Sequence, residues 1–290
     1  MTFTSHYVQC AGRELHYTDW QPAQGTLFQG NVLAWHGLAR TCRDMDDLAM
    51  HLTSKGYRVV CPDTLGRGLS AWSPQPAQEY CLHFYARLAK DLIAHVGFET
   101  LHWVGTSMGG AVGMVCASGL LEPSLKPRIR SLVLNDMAPQ LATTAIERIK
   151  AYAGQPPAFD TVSELEQFFR RVYQPFGWMS DAQWRRLAES SLRRLPDGRV
   201  TPHYDPAMVQ QFTEHPNDYA NWPHYDALDL PVLMLRGVDS DLVLPETVSQ
   251  MQLRGPGARG LLQTVEVPGC GHAPALNVPQ HWAWLTHFWG

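Results

Sequence analysis

The sequence has no long apolar run and little charge. No segment reaches the roughly 18 consecutive apolar residues that a membrane span needs, and residues 1–10 lack the basic start and apolar stretch of an export signal. Charged residues make up 17% of the 290, with a net charge of -4 and no basic cluster for a phosphate backbone. We therefore expect a cytoplasmic protein with a small-molecule substrate, and neither a nucleic-acid nor a membrane partner.

The sequence also lacks the spacing of a metal site. It has six cysteines but no CxxC pair, and its histidines do not fall at the intervals typical of zinc ligands. Free buried thiols suit a reducing compartment. We therefore expect neither a metal nor another cofactor.

Short apolar runs that alternate with helical stretches predict the fold class. Apolar runs at residues 32–35, 57–61, 101–104 and 131–134 are separated by helical patterns at about 44–55, 82–96 and 108–120. Two further strands at 8–10 and 14–20 read as an opening hairpin around Gly12. Strands that alternate with helices of this length predict an α/β fold with a parallel sheet covered by helices on both faces.

The middle of the chain breaks this alternation. From residue 139 to 223 the apolar strand runs stop, and helical patterns follow at 141–152, 162–173, 181–192 and 207–212. Strands and helices then resume at 231–235, 246–253, 262–267 and 280–289. We predict a core of residues 1–138 and 224–290, with residues 139–223 inserted as a helical cap.

The strongest chemical signal is a G-x-S-x-G motif at residues 105–109. It lies between the predicted strand at 101–104 and the helix that begins near Met108. A serine on such a sharp strand-to-helix turn points its hydroxyl out of the sheet, and Gly105 and Gly109 let strand and helix approach closely. Ser107 is therefore predicted to be a nucleophile.

A serine hydroxyl needs a base, which in this motif order follows late in the chain. His272 lies in a Gly-rich loop directly after the last predicted strand, in the sequence PGCGHAP. The flanking glycines allow that loop to bring the imidazole over Ser107. His272 is therefore predicted to be the base.

Several aspartates could orient the imidazole. Asp239 and Asp241 both follow the predicted strand at residues 231–235, and Asp136 follows the earlier strand at 131–134. The residues themselves leave this choice open, with Asp136 as an outside candidate.

The oxyanion of the reaction needs hydrogen-bond donors. The backbone N–H groups of Met108 and of Leu38, after His36-Gly37, occupy the two expected places. His36 is interpreted as a brace for that loop. Arg40 is a possible substrate-binding residue that could reach a carboxylate.

Together these landmarks resemble the α/β-hydrolase superfamily, and specifically its bacterial serine hydrolases of the carboxylesterase type. The resemblance rests on His36-Gly37, Pro62-Asp63 with Gly66 and Gly68, residues 105–110, and Gly271-His272. It implies a mostly parallel eight-stranded sheet with a helical cap after the sixth strand. The loop at Arg236-Gly237 and Ser240-Asp241 resembles members whose acid is the aspartate after the serine, which favours Asp241, although a common form places the acid where Ser240 stands.

We therefore expect a serine hydrolase that cleaves a small carboxylic ester through an acyl-enzyme. Carbon–carbon bond hydrolysis of the meta-cleavage type uses the same residues and is the alternative, although Ala273 stands where many such enzymes have tryptophan. Lactone and thioester hydrolysis also fit. A ligand receptor built on a hydrolase scaffold is the remote alternative.

Overall fold

An eight-stranded, mostly parallel sheet forms the centre of the molecule. The structure is a computed structural model that describes residues 3–290. The strands are β1 (Phe3–Cys10), β2 (Arg13–Trp20), β3 (Gly30–Trp35), β4 (Tyr57–Pro62), β5 (Leu101–Thr106), β6 (Ile129–Asn135), β7 (Leu192–Arg194), β8 (Val200–Pro202), β9 (Val232–Gly237) and β10 (Leu262–Val267). Their order in the large sheet is β1-β2-β4-β3-β5-β6-β9-β10, and β7 and β8 pair separately. This order confirms the predicted fold class.

The central strands are apolar because both faces of the sheet are covered. Strands β3, β5, β6 and β9 run parallel to their neighbours, whereas β1 and β2 are antiparallel. Side chains of alternate residues in β3 enter different clusters, with Leu33 and Trp35 on one face and Val32 and Ala34 on the other. The parallel strands bring the loops that follow them to one edge of the sheet.

Helices cover both faces and build the segment between β6 and β9. The helices are α1 (Asp46–Ser54), α2 (Pro76–Glu79), α3 (Leu82–His95), α4 (Met108–Ser118), α5 (Thr143–Ala153), α6 (Val162–Val172), α7 (Asp181–Ser190), α8 (Gln211–Glu214), α9 (Trp222–Asp226), α10 (Pro245–Leu253), α11 (Gly255–Ala258) and α12 (Pro279–Trp289). Short 3-10 turns lie at Cys42–Met45, Lys126–Arg128, Gln174–Phe176 and Pro206–Gln210. None of the helices in residues 3–290 has both the length and the apolar character to cross a membrane.

The segment from α5 to α9 is inserted after the sixth strand of the large sheet. Helices α6 and α7 pack around their own apolar cluster, which includes Leu165, Phe169 and Trp184. Helix α5 instead places Ala145 and Ile149 in the core of the sheet domain. The division of the chain at residues 139 and 223 stays a prediction, and we use "cap" for this inserted segment.

The cap contains a short hairpin that the sequence patterns did not predict. The pattern at residues 181–192 predicts one helix, but α7 ends at Ser190 and β7 begins at Leu192. The turn between β7 and β8 contains Pro196-Asp197-Gly198, in which Gly198 has a φ of 90°. That turn allows the chain to reverse and pair β7 with β8, so Leu192, the last residue of the predicted helix, lies in a strand.

Strand β5 and helix α4 approach more closely than any side chain would allow. A Cβ atom added to Gly105 would lie 2.3 Å from the backbone of Gly109, and one added to Gly109 would lie 2.3 Å from the carbonyl oxygen of Trp35. Because these neighbours are backbone atoms, no side-chain rotation can relieve the contact. The two glycines therefore fix the turn that carries residue 107.

Gly109→Ala is expected to destabilise the protein by about 3 kcal/mol, since overpacked core sites cost up to about that much. Gly154→Ala is the matched control, because its added Cβ would approach no atom closer than 3.3 Å, and we expect a change within about 1 kcal/mol. Urea unfolding of the three proteins measures the difference. Equal free energies of unfolding for the two variants would contradict the steric argument.

Candidate active site

Ser107 lies at the turn between β5 and α4 in a strained backbone conformation. Its φ is 52° and its ψ is -119°, a region that side-chain-bearing residues rarely adopt. The Ser107 N–H donates to the Asn135 carbonyl oxygen at 2.9 Å, which holds the turn against the neighbouring strand β6. The side chain is thereby presented above the carboxyl edge of the sheet.

His272 connects Ser107 to a buried carboxylate. The His272 Nε2 atom lies 2.8 Å from Ser107 Oγ, and its Nδ1 atom lies 2.6 Å from Asp136 Oδ2. An Nδ1–H that donates to Asp136 leaves Nε2 free to accept the serine proton. The structure thus brings the predicted serine and histidine together in the arrangement that nucleophilic catalysis requires.

Asp136 is fully buried and well supplied with donors. Its Oδ1 accepts from the Gly237 N–H at 3.0 Å, and its Oδ2 accepts from the Ser240 hydroxyl at 2.7 Å. Buried carboxylates are costly unless they are hydrogen-bonded in this way. Its backbone has a φ of 50°, which aspartate tolerates better than most residues.

The prediction that Asp241 orients the imidazole is wrong. Asp241 is about half exposed and forms an ion pair with Arg148 of α5, and both residues line the cavity described below. The alternative acid, Asp239, is also exposed, and its backbone N–H donates to the Cys270 carbonyl oxygen at 2.9 Å. The carboxylate beside His272 Nδ1 is instead that of Asp136, the outside candidate.

The loop after β9 explains why Asp136 contacts His272 and Asp241 does not. Ser240, which stands where a common form of the loop has its acid, points its hydroxyl at Asp136. That serine also accepts from the N–H groups of Leu242 and Val243, at 3.3 and 3.1 Å. Two residues in the sequence could have indicated this acid: Asp136 directly after β6, and a serine, Ser240, at the position where the acid usually stands.

Further residues that the sequence patterns did not single out hold the histidine loop. The Asn135 side-chain amide donates to the Pro274 carbonyl oxygen at 2.8 Å. From the cap, the Pro175 and Phe176 carbonyl oxygens accept from the N–H groups of Gly271 and Ala275, at 2.7 and 3.0 Å. Sheet and cap therefore both position His272.

The loop after β3 lies against the serine. A Cβ atom added to Gly37 would lie 3.6 Å from Ser107 Cβ. Burial lowers the pKa of His36 to about 4, so the ring is neutral at neutral pH. Its Nε2 then accepts from the Thr64 N–H at 3.0 Å, and its Nδ1 donates to the Gly37 carbonyl oxygen at 2.6 Å. These contacts agree with the interpretation of His36 as a brace.

A cavity of about 440 Å³ opens over Ser107 and His272. The cap supplies most of its apolar wall, with Ile149, Val172, Phe176, Met179 and Leu187. A site of this size accommodates a small organic molecule. The serine hydroxyl is thus reachable by a substrate bound between sheet and cap.

Arg40, predicted as a possible substrate-binding residue, also lines this cavity. Its Nε and Nη2 donate to the two carboxylate oxygens of Asp44, each at 2.7 Å. Nη2 also donates to Ser191 Oγ at 2.9 Å, so the arginine joins the loop after β3 to the cap.

One group of side chains has the donor types of a metal site. Atoms of His16, Cys42 and Asp63 lie within 4.8 Å of one another among the described residues. However, His16 Nδ1 already lies 2.7 Å from Asp63 Oδ2, and Asp63 Oδ1 accepts from the Cys42 N–H at 2.7 Å. Burial raises the pKa of the Cys42 thiol well above its ordinary value, so it stays protonated. These contacts suit a structural hydrogen-bond network better than a metal.

Known proteins resemble this chain over most of its length. A chain named 3-hydroxybutyrate-oligomer hydrolase from Cupriavidus necator is 38% identical, over 97% of this chain and 96% of its own. A 2-hydroxy-6-oxononadienedioate/2-hydroxy-6-oxononatrienedioate hydrolase from Paraburkholderia phymatum is 27% identical, over 83% and 81% of the two chains.

A solved structure and a family model also match most of this chain. The crystal structure of an alpha/beta hydrolase from Novosphingobium aromaticivorans superposes with a TM-score of 0.82 at 30% identity, covering 99% of this chain and 98% of that one. The model described as "Alpha/beta hydrolase family" matches residues 32–283. The chain therefore belongs to the α/β-hydrolase family.

Proposed function

We propose that this hydrolase cleaves carboxylic esters through an acyl-enzyme on Ser107, with His272 as the base and Asp136 as the acid that orients it. The observation that carries the proposal is the continuous line of short hydrogen bonds from Ser107 through His272 to Asp136. A serine in this arrangement is the activated nucleophile of acyl transfer.

In the first step, Ser107 Oγ attacks the ester carbonyl carbon while its proton passes to His272 Nε2. The imidazolium that forms is stabilised by the Asp136 carboxylate at Nδ1. Collapse of the tetrahedral intermediate breaks the bond to the alcohol oxygen, which receives the proton from His272. The products of this step are the alcohol and an ester between the acyl group and Ser107.

The negative oxygen of the intermediate needs donors on the opposite side from His272. The N–H of Met108, the first residue of α4, has no acceptor within its own helix. The N–H of Leu38 lies in the loop beside Ser107 and is the second donor in this proposal. Water then attacks the acyl-enzyme with His272 as the base, which releases the acid and restores Ser107.

The substrate class follows from the relative at 38% identity. Its printed name describes hydrolysis of 3-hydroxybutyrate oligomers, whose units are joined by ester bonds. The cavity volume and its partly apolar wall suit a short oligomer of a hydroxy acid with methyl branches. We infer that short hydroxy-acid esters are the substrates.

Carbon–carbon bond hydrolysis is the second candidate. It is supported by the relative from Paraburkholderia phymatum, whose name gives an oxo-dienedioate substrate. The same serine and histidine would serve that reaction. The ester proposal is preferred because the more similar relative is named for an ester substrate.

Ser107→Ala is expected to lower kcat for p-nitrophenyl butyrate and for the linear 3-hydroxybutyrate dimer by at least about 10⁴-fold, since the nucleophile is lost. Wild-type protein should release p-nitrophenol in an initial burst if deacylation is slower than acylation. Stopped-flow absorbance measures p-nitrophenol release, and liquid chromatography of timed samples measures cleavage of the dimer. A wild type that is inactive on both esters but bleaches a coloured meta-cleavage product would favour carbon–carbon hydrolysis.

Asp136→Asn is expected to lower kcat by about 10³- to 10⁴-fold, because an amide cannot stabilise the imidazolium and favours the wrong tautomer. Asp241→Asn makes the same chemical change on a carboxylate that is paired with Arg148 instead, and should change kcat by no more than a few-fold. Steady-state rates and thermal unfolding of both variants provide the comparison. Our assignment fails if the Asp241 variant is the inactive one.

A further inference from the structure

Arg40 has one nitrogen, Nη1, that forms no hydrogen bond of ordinary geometry with the described residues, although the Tyr173 hydroxyl lies nearby. The residue is only 4% exposed. Asp44 occupies the Nε and Nη2 edge of the guanidinium, which leaves Nη1 on the other edge. A buried N–H group without an acceptor is costly, so such groups normally have a partner that completes them.

The unsatisfied nitrogen belongs to a side chain of the cavity that contains Ser107. Arg40 lines that cavity, and a Cβ atom placed on Gly37 would touch both Ser107 Cβ at 3.6 Å and Arg40 Cγ at 3.8 Å. The serine and the arginine therefore flank the same glycine. One ligand bound in the cavity can therefore contact both side chains.

The surroundings hold the guanidinium rigidly. It lies over the ring of Tyr173 at 4.5 Å and near the ring of Phe169 at 5.4 Å. With Asp44 and Ser191 fixing its other edge, the group loses little freedom when it binds a ligand. Preorganisation of this kind is a feature of binding sites.

Tyr152 adds a second donor at the same cavity wall. Burial raises the pKa of its hydroxyl, against the opposing effects of the nearby Arg148 and Arg40 guanidiniums. The hydroxyl is therefore protonated at neutral pH and able to donate a hydrogen bond. Two donors, one of them charged, match the two oxygens of a carboxylate.

We propose that Arg40 Nη1 and the Tyr152 hydroxyl bind a free carboxylate of the substrate, so that this hydrolase prefers esters that carry a terminal acid. The inference rests on the ester-hydrolase function proposed above and makes it more specific. An oligomer of a hydroxy acid has one such terminus, separated from the first ester carbonyl by one unit. Arg40 is then a specificity-determining residue as well as a link between sheet domain and cap.

The test compares the linear 3-hydroxybutyrate dimer with its methyl ester, in which one added methyl group removes the charge of the terminus. The quantity compared is kcat/KM for cleavage of the internal ester bond. In wild-type protein this value should be at least about tenfold higher for the free acid than for the methyl ester, as expected of a charge-assisted hydrogen bond. Liquid chromatography of the products distinguishes cleavage of the internal ester from loss of methanol. Because the ratio is taken within each protein, general damage to a variant cancels.

Arg40→Lys keeps a positive charge beside Asp44 but removes Nη1, and should lower the ratio about tenfold. Arg58→Lys is the matched control, because the Arg58 guanidinium is paired with Asp19 through Nε and Nη2 near the start of β4, outside the lining of the cavity, so its ratio should not change. Tyr152→Phe removes only the hydroxyl and should lower the ratio a few-fold. Because this change is nearly isosteric, it tests the proposal even if Arg40→Lys does not fold.

The outcomes separate this inference from the function on which it depends. If wild-type protein hydrolyses both dimers with equal kcat/KM, or if the ratio is the same in Arg40→Lys, the carboxylate site is wrong although the ester function stands. If neither dimer nor p-nitrophenyl butyrate is hydrolysed in a Ser107-dependent way, the proposed function itself fails.

Discussion

The buried carboxylate of Asp136, in the loop after β6, accepts hydrogen bonds from two other segments at the carboxyl edge of the sheet, namely the end of β9 with its loop and the loop after β10. The donors are the Gly237 N–H at the end of β9, the Ser240 hydroxyl in the loop that follows it, and His272 Nδ1 in the loop after β10. Each of these loops could adopt other shapes by itself. Because a fully buried carboxylate without donors would be strongly destabilised, the three loops are constrained together, and the imidazole has one orientation over Ser107.

The cap is joined to this centre through its backbone and through Arg40. Carbonyl oxygens of Pro175 and Phe176 accept from N–H groups of the His272 loop, while Arg40 reaches Ser191 from the loop beside Ser107. The cavity wall and the reacting groups are therefore parts of one hydrogen-bonded unit. In our proposal the cap contributes no reacting atom, and this coupling is the means by which it would select esters. The same contacts hold the Arg40 guanidinium in place.

Local patterns predicted most of the fold and two of the three groups in the proposed triad. The alternation of strands and helices depends on residue periodicity, and the turn at Ser107 depends on glycines within two residues of it, so both are visible in a single sequence. The acid was predicted wrongly because several aspartates follow strands, and only the shape of the loop after β9 decides which one is buried. Asp241 follows Ser240 directly, yet the loop turns Ser240 inward and leaves Asp241 paired with Arg148. The β7 and β8 hairpin was missed because the helical pattern at residues 181–192 extended to the first residue of β7, and strands of three residues are too short to show a pattern of their own.

The central claim is that Ser107 is the nucleophile that becomes acylated. A fluorophosphonate reacts covalently with serines that an adjacent base activates, so mass spectrometry of the protein after this treatment tests the claim most directly. We expect one adduct, located by peptide mapping on Ser107, together with loss of ester hydrolysis in proportion to labelling. An adduct on another residue, or full hydrolytic activity in protein that is completely labelled at Ser107, would contradict it.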